Sequence, residues 1–424
     1  MTRRRVVLVP LVAACTALAA CADSPVAPRV EADRPLLQES EGRDVFQRYV
    51  AIGTSISMGV QSDGVYFGTQ TTSWPAQLAR MGHRDITQPY IQFPGCHSPI
   101  APPLGLGVRL SGEQTLANPA TLSCAPLVDG VTLPTQNVAI FGARASNVLS
   151  TTPQNVIDPV NGPLYSRVLA AGQTQVSAME AQNPKLVSVE IGANEVLDAR
   201  SGVALVGPPP FPIENPATFA AEYHQILDRI DAVRVKDVVL VGLPTNPFVI
   251  PGFRSGAEIA ANAAPLFAGF NVAVDADCGT TAAQNLMYVP LKLAPVMQAG
   301  LQARLANLPP VPFSCAASPN PTTVDLVLTP AEQSIVATVV TQMNAVIQGE
   351  AQARGFAFFS LDAFYAAPGV RTPLDVVALF TTPQPFGPYM SLDGLHPNAA
   401  GQAIIAQAAA QALNARYDLG IPTP

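Results

Sequence analysis

Charged residues are scarce in this sequence, and basic residues are the scarcer kind. Only 12% of its 424 residues are Asp, Glu, Lys or Arg, whereas 48% are hydrophobic. A disordered chain would carry more charge, so the composition predicts a folded protein with a large core. The formal net charge is −7 and the sequence contains no basic stripe, which argues against nucleic acid as a partner.

The apolar run at the N-terminus is too short to cross a bilayer as a mature helix. It covers residues 6–20 and follows arginines at positions 3 to 5, as in an export signal. It ends in a Leu-Ala-Ala-Cys motif at Cys21 that resembles a bacterial lipobox. We therefore expect a signal peptide over residues 1–20, lipidation of Cys21 and a polar tether over 21–45. An ordinary signal peptide or an anchor helix is the alternative.

A lipobox implies that the protein lies in the bacterial cell envelope. Its lipid would hold it to a membrane on the periplasmic or extracellular face, with the folded domain beyond the tether. Neither the inner nor the outer membrane is specified by the residues that follow Cys21.

Potential metal ligands are also few. The sequence has four histidines and six cysteines, without the Cys-x-x-Cys or His-rich spacing of a zinc site, so we predict no metal and no cofactor. In an exported protein, the four cysteines of the body are typical of disulfides. Among three pairings we favour Cys96–Cys124 and Cys278–Cys315, because each pair closes one proline-rich segment.

Short apolar runs alternate with segments of helical periodicity. Such runs are typical of a parallel sheet that helices cover on both faces. The predicted strands are 49–52, 137–141, 186–191, 238–241 and 356–361. The predicted helices are 169–181, 216–235, 330–354 and 397–415. This alternation predicts an α/β domain over residues 46–417 with a three-layer, doubly wound parallel sheet.

Two long regions, about 60–135 and 245–325, lack a strong period and are rich in Pro, Gly and Ala. We expect them to be long loop insertions in the α/β domain. Insertions at the carboxyl ends of parallel strands usually shape the binding crevice, although these sequences do not indicate a substrate.

Two blocks, one near each end of the chain, contain the residue types of nucleophilic catalysis. Ser55 lies in Gly-Thr-Ser-Ile-Ser directly after the first predicted strand, where a turn can present its hydroxyl at the sheet edge. His396 lies in Asp-Gly-Leu-His-Pro-Asn, three residues after Asp393. An imidazole can accept the proton of a serine hydroxyl, and a carboxylate on its other nitrogen fixes the tautomer. Singly, each block is more often a turn or a helix cap.

Two further blocks end the second and third predicted strands. Gly142 follows an apolar run, and Asn194 lies in Ile-Gly-Ala-Asn-Glu. A glycine N–H and an asparagine amide can both donate to a developing oxyanion. Each block could equally be a simple turn.

Together, and in this order along the chain, the four blocks resemble those of the SGNH (GDSL-like) hydrolase family. The resemblance covers most of the predicted domain apart from the two insertions, and it implies the flavodoxin-like fold of that family. It further implies that Ser55 is the nucleophile and that His396 is the general base, oriented by Asp393. The oxyanion hole would consist of the N–H groups of Ser55 and Gly142 and the side chain of Asn194.

The resemblance implies a serine esterase or lipase that cleaves a carboxylic ester of a lipid or of an acylated glycan. Two positions depart from the family: Thr54 stands where aspartate is usual, and Glu195 replaces a common aspartate. Ser57 is a rival nucleophile. Thr54 leaves open a second hypothesis, an inactive envelope lipoprotein that binds glycan or lipid. The histidines at positions 83, 97 and 224 stand alone and receive no role.

Overall fold

The structure is a computed structural model that describes residues 45–115, 121–208 and 211–423. The predicted signal peptide and the lipidation of Cys21 therefore lie outside the described residues, as does the tether apart from its last residue. Within the described ranges, no helix combines the length and the apolar character that a membrane crossing requires.

Nine strands and fifteen α-helices are found in the described ranges. The strands are β1 Tyr49–Gly53, β2 Leu186–Glu190, β3 Asp237–Gly242, β4 Phe253–Ser255, β5 Val272–Val274, β6 Leu286–Tyr288, β7 Val311–Phe313, β8 Val327–Leu328 and β9 Ala357–Ser360. The helices are α1 Ser55–Met58, α2 Phe67–Gln70, α3 Trp74–Met81, α4 Ala145–Ser150, α5 Gly162–Val168, α6 Gln175–Glu180, α7 Asn194–Leu197, α8 Pro216–Ala232, α9 Gly256–Ala261, α10 Ala263–Phe270, α11 Val289–Leu305, α12 Pro330–Arg354, α13 Asp362–Tyr365, α14 Ala378–Thr381 and α15 Ala399–Tyr417.

The main sheet is parallel and has the order β1-β2-β3-β9. Every residue of β1, β2 and β3 is buried, which explains their almost wholly apolar sequences. On one face, α15 contacts α3 and α13 as well as β3 and β9. The helices α4, α6, α8 and α12 form a connected group on the other face, where α6 contacts β1 and α12 contacts β3. The predicted three-layer α/β fold is confirmed.

The predicted strand over 137–141 is wrong in detail. Its N–H groups at Val138 and Ile140 donate to Ala51 O (2.9 Å) and Gly53 O (3.1 Å), so the segment lies in a strand's place beside β1. It forms only an isolated bridge, because Asn137 binds the N–H of Ala139 with its own side chain and the chain turns after Ile140. Counting this segment, the five strand positions follow the doubly wound order 2-1-3-4-5, which opens a crevice at the carboxyl edge beside β1.

Predicted helices are confirmed where the signals at their ends are strong. Helix α12 begins at Pro330 as predicted, with a capping box in which Thr329 Oγ1 accepts from the N–H of Glu332. The single helix predicted over 169–181 is wrong, because α5 ends before it and only α6 lies within it. Gly172 lies between them with φ +75°, a left-handed turn that a helix cannot continue through.

The second predicted insertion contains more regular structure than expected. It includes α9, α10, α11, the two-stranded pair β5-β7, and two strands of the small antiparallel sheet β4-β6-β8. Strands of two or three residues are too short to show a period, and Pro295 lies inside α11. The disulfides join Cys96 to Cys124 and Cys278 to Cys315, the pairing that the sequence favoured.

Candidate active site

Ser55 and His396 lie 341 residues apart in sequence and meet at the carboxyl edge of the sheet. Ser55 is the first residue of α1, two residues after β1, and His396 lies in the loop before α15. The distance from Ser55 Oγ to His396 Nε2 is 2.9 Å, and that from His396 Nδ1 to Asp393 Oδ2 is 2.7 Å. Since Nδ1–H donates to the carboxylate, Nε2 is left to accept the serine proton.

The Asp393 carboxylate is buried but well supplied with donors. Its Oδ1 accepts from the N–H groups of Leu395 and His396 and from the Ser391 hydroxyl, each at 2.9 Å. Burial alone would raise the pKa of Asp393, but the charge of His396 and these hydrogen bonds outweigh it and lower the pKa to about 2. Asp393 is therefore a carboxylate at neutral pH.

A segment of the first insertion holds this carboxylate from outside the motif. The Asp63 N–H donates to Asp393 Oδ2 at 2.6 Å, and the Ser62 N–H donates to Ser391 Oγ at 2.8 Å. Arg109, itself buried, binds the Asp63 side chain at 2.6 Å. Sequence reasoning missed these contacts, because no local pattern links residues that are 330 positions apart.

A second buried carboxylate holds the turn that carries Ser55. Glu190, at the end of β2, accepts from the N–H and hydroxyl of Thr54 (3.1 and 2.8 Å) and from those of Ser57 (3.2 and 3.0 Å). Burial raises the pKa of Glu190, and these four hydrogen bonds oppose that rise. The Ser57 hydroxyl also accepts a hydrogen bond from Trp74 Nε1 at 3.1 Å. Its hydrogen bonds therefore stabilise the turn that carries Ser55. The feature of the sequence that could have indicated this role is the acidic side chain of Glu190 in an otherwise apolar predicted strand.

Gly142 and Asn194 lie beside one another at the same edge. Gly142 has φ +78°, and a Cβ there would lie 2.5 Å from Asn161 Nδ2, so the position requires glycine. The Asn194 side-chain amide donates to Ala143 O at 2.8 Å, which joins the two loops. Among the described residues, the N–H groups of Gly142 and Ser55 have no hydrogen-bond acceptor and are available to a ligand.

Two cavities meet at these residues. The larger has a volume of about 880 Å³ and is lined by Gly142, Asn194 and His396 among others. The smaller, of about 70 Å³, is lined by Ser55, Asn194 and His396. His396 and Asn194 therefore line both cavities.

Residue 195 is a buried acid beside this site. Glu195 Oε1 accepts from the Ala145 N–H at 2.7 Å, whereas its Oε2 has no partner in the described ranges. Burial, followed by the neighbouring charge of Glu214, raises the pKa of Glu195 to about 8. Glu195 therefore remains protonated at neutral pH.

This pKa predicts that Glu195→Gln stabilises the protein increasingly as pH rises. Below pH 4.5 the carboxyl is protonated in both states; between 4.5 and about 8 only the unfolded chain ionises, which destabilises the fold. Glutamine removes this penalty, which reaches on the order of 5 kcal/mol above pH 8. The free energies of unfolding of variant and wild type, measured in urea at pH 5 and pH 9, give the size of this penalty. Equal differences between variant and wild type at both pH values would contradict the prediction.

One cluster outside the site brings three potential metal ligands together. Asp277, Cys278 and Cys315 have ligand atoms within 4.8 Å of one another. Both sulfurs are joined in the disulfide, and Asp277 accepts hydrogen bonds from Ser314 and Ala316. The disulfide and these hydrogen bonds therefore stabilise the second insertion.

Of the comparisons with known proteins, only the one with solved structures gave a match. The sequence matches no protein-family model and no curated protein. Among solved structures, the chain is similar to an extracellular lipase from Streptomyces rimosus at 16% identity, with 87% of this chain and 98% of the lipase covered and a TM-score of 0.33. A TM-score of this size does not establish a shared fold.

Proposed function

We propose that the protein is a serine ester hydrolase in which Ser55 is the nucleophile, His396 the general base and Asp393 the residue that orients it. The observation that carries this proposal is the unbroken chain of hydrogen bonds from hydroxyl to imidazole to carboxylate, at 2.9 and 2.7 Å. The order of the four sequence blocks, which resembles that of SGNH hydrolases, supports the same assignment.

In this mechanism, Ser55 Oγ attacks the ester carbonyl while His396 Nε2 takes its proton. The imidazolium, stabilised by Asp393, then gives the proton to the leaving alcohol. A water molecule then gives a proton to the same nitrogen and attacks the acyl-enzyme carbonyl. His396 returns that proton to Ser55 Oγ as the bond between Oγ and the acyl carbon breaks, which releases the carboxylic acid. These steps use only side chains that the geometry brings together.

The oxyanion of the tetrahedral intermediate would accept from the N–H groups of Ser55 and Gly142 and from the Asn194 amide. Each such donor typically contributes about 2.7–4 kcal/mol of transition-state stabilisation. The bond from Asn194 to Ala143 O fixes the amide before substrate arrives. Preorganised donors of this kind favour an active enzyme over an inactive binding protein.

The rest of the assignment follows from the sequence. We propose an exported protein with a hydrolase domain over residues 46–417, tethered to a membrane through lipid on Cys21. Two disulfides support an oxidising, extracytoplasmic location. The substrate would be an ester of a lipid or of an acylated glycan.

Release of p-nitrophenol from p-nitrophenyl acetate tests the activity. We expect turnover that one equivalent of a fluorophosphonate, a reagent for activated serines, abolishes. Absence of both turnover and labelling in the folded protein would favour the inactive binding protein and overturn the proposal.

A further inference from the structure

A tight turn of the first insertion connects the two halves of the proposed triad. Residues 61–64, which we call the linking turn, follow helix α1 closely. The N–H of Gln61 donates to Gly64 O at 2.9 Å, and the N–H of Gly64 donates to Gln61 O at 3.2 Å. Ser62 has φ +54° and Asp63 has φ +58°, the left-handed values that a two-residue turn of type I′ requires.

The residues of this turn are not those that its conformation favours. Asparagine and glycine are preferred at the two central positions, because a Cβ makes left-handed backbone unfavourable for most residues. Strained backbone of this kind persists where surrounding contacts fix it, and it is common at functional sites. One such contact is made by Ser62 Oγ, which accepts from the N–H of Leu392 at 3.2 Å.

The left-handed conformation directs two successive N–H groups at the loop that carries His396. The N–H of Ser62 donates to Ser391 Oγ at 2.8 Å, and the N–H of Asp63 donates to Asp393 Oδ2 at 2.6 Å. The same Oδ2 accepts from Nδ1 of His396 at 2.7 Å. Successive N–H groups of a turn form a binding site for an anion. The linking turn therefore holds the carboxylate oxygen that orients the imidazole.

Arg109 in turn holds the linking turn. Its Nη1 donates to Asp63 O at 3.0 Å and to Ser98 O at 2.8 Å, and its Nη2 binds the Asp63 carboxylate at 2.6 Å. The Arg109 side chain is only 4% exposed, so solvent competes little for these contacts. A guanidinium offers its donors in a rigid fork, which a lysine ammonium does not. Arg109 thus fixes both the carbonyl and the carboxylate of the residue whose N–H binds Asp393.

We propose that Arg109 and Asp63 are positioning residues of the hydrolase and act on the reaction through the linking turn. Ser55 and the turn belong to one short segment, and the turn binds the loop of Asp393 and His396. The turn therefore sets the position of the imidazole relative to the Ser55 hydroxyl. Loss of the guanidinium lets the turn leave its left-handed conformation, and Asp393 moves with it. This inference rests on the proposed triad.

Variants of Arg109 test the inference in hydrolysis of p-nitrophenyl acetate. Active sites are counted by complete titration with a fluorophosphonate, so that kcat refers to folded, reactive protein alone. Arg109→Met keeps the apolar stem and should lower kcat at least about tenfold, because small displacements of reacting groups slow a reaction strongly. KM should change less than about threefold, as expected when ground-state binding is retained. Arg109→Lys can still bind the Asp63 carboxylate and should recover part of kcat.

Variants of Asp63 keep the test decisive where Arg109→Met does not fold. Asp63→Gly adopts the left-handed φ without strain and retains the N–H, but it loses the side chain that Nη2 of Arg109 binds. Its kcat should fall at least about threefold. Asp63→Asn tolerates the same φ and keeps an oxygen that accepts from Arg109, so it should recover most of kcat. Equal values of kcat in wild type and Asp63→Gly would overturn the inference.

Arg167→Met is the matched control. Arg167 supports the same insertion by donating to the backbone oxygens of Ala125 at 2.8 Å and Cys124 at 3.4 Å, so its variant should keep kcat per active site. A loss equal to that of Arg109→Met would show that general support of the insertion sets the rate, and would overturn the inference. Activity that Ser55→Ala abolishes but the Arg109 and Asp63 variants retain would overturn this inference alone. Absence of hydrolysis by the wild type would overturn the proposed function as well.

Discussion

Replacing Ser55 by alanine is expected to lower kcat for p-nitrophenyl acetate by about 10⁴- to 10⁶-fold, the range found when a triad nucleophile is removed. In the proposed mechanism the variant loses the atom that forms the acyl-enzyme, so only the proposed oxyanion donors and substrate binding remain. Its fold should persist, because the Ser55 hydroxyl has a single described partner, His396. Burst and steady-state release of p-nitrophenol measure the effect.

Ser57→Ala is the matched control for this prediction. Its hydroxyl binds Glu190 and Trp74 inside the turn, so its removal weakens the support of the nucleophile but leaves the nucleophile in place. The loss of these two buried hydrogen bonds, each worth about 1 kcal/mol, weakens the fold more than the chemical step, so kcat should stay within about tenfold of wild type. Full activity in Ser55→Ala together with none in Ser57→Ala would reverse the assignment.

Replacing Asp393 by asparagine is expected to lower kcat by about 10⁴-fold. An asparagine amide can donate to Nδ1 of His396, which places the ring proton on Nε2 and prevents that atom from accepting the serine proton. In the proposed mechanism the Asp393 carboxylate holds the productive tautomer through its 2.7 Å contact with Nδ1. Steady-state kinetics at pH 7 give the decrease.

The Asp393→Asn variant should lose activity through a lower kcat and should keep its fold. Asp375→Asn, at an exposed turn where the side chain accepts from the N–H groups of Val377 and Ala378, provides the control and should match wild type. Because the pKa of Asp393 is about 2, the wild-type carboxylate stays ionised at pH 7. A decrease of less than tenfold in folded Asp393→Asn would show that Asp393 does not orient the base.

The sequence predicted the positions of those candidate residues that follow sheet strands. Ser55 follows β1 and Asn194 follows β2, and the carboxyl ends of parallel strands meet at one edge. Asp393 and His396 are three residues apart, so a local loop suffices to join them. For this reason, the order of the blocks along the chain was enough to predict that these side chains lie close together.

The supporting contacts were not predictable, because they join residues distant in sequence. The Asp63 N–H reaches Asp393 only after the first insertion has folded, and Glu190 supports a turn on another strand. The helix α11 was missed because it begins after a very short strand and contains a proline. The two cavities depend on how both insertions close over the sheet, which no local pattern encodes.

The position of a fluorophosphonate adduct tests the central claim most directly. Labelled protein would be digested, and tandem mass spectrometry would place the added mass within the peptide that contains both Ser55 and Ser57. The account predicts a single adduct on Ser55. An adduct on Ser57 or on any other residue would contradict it.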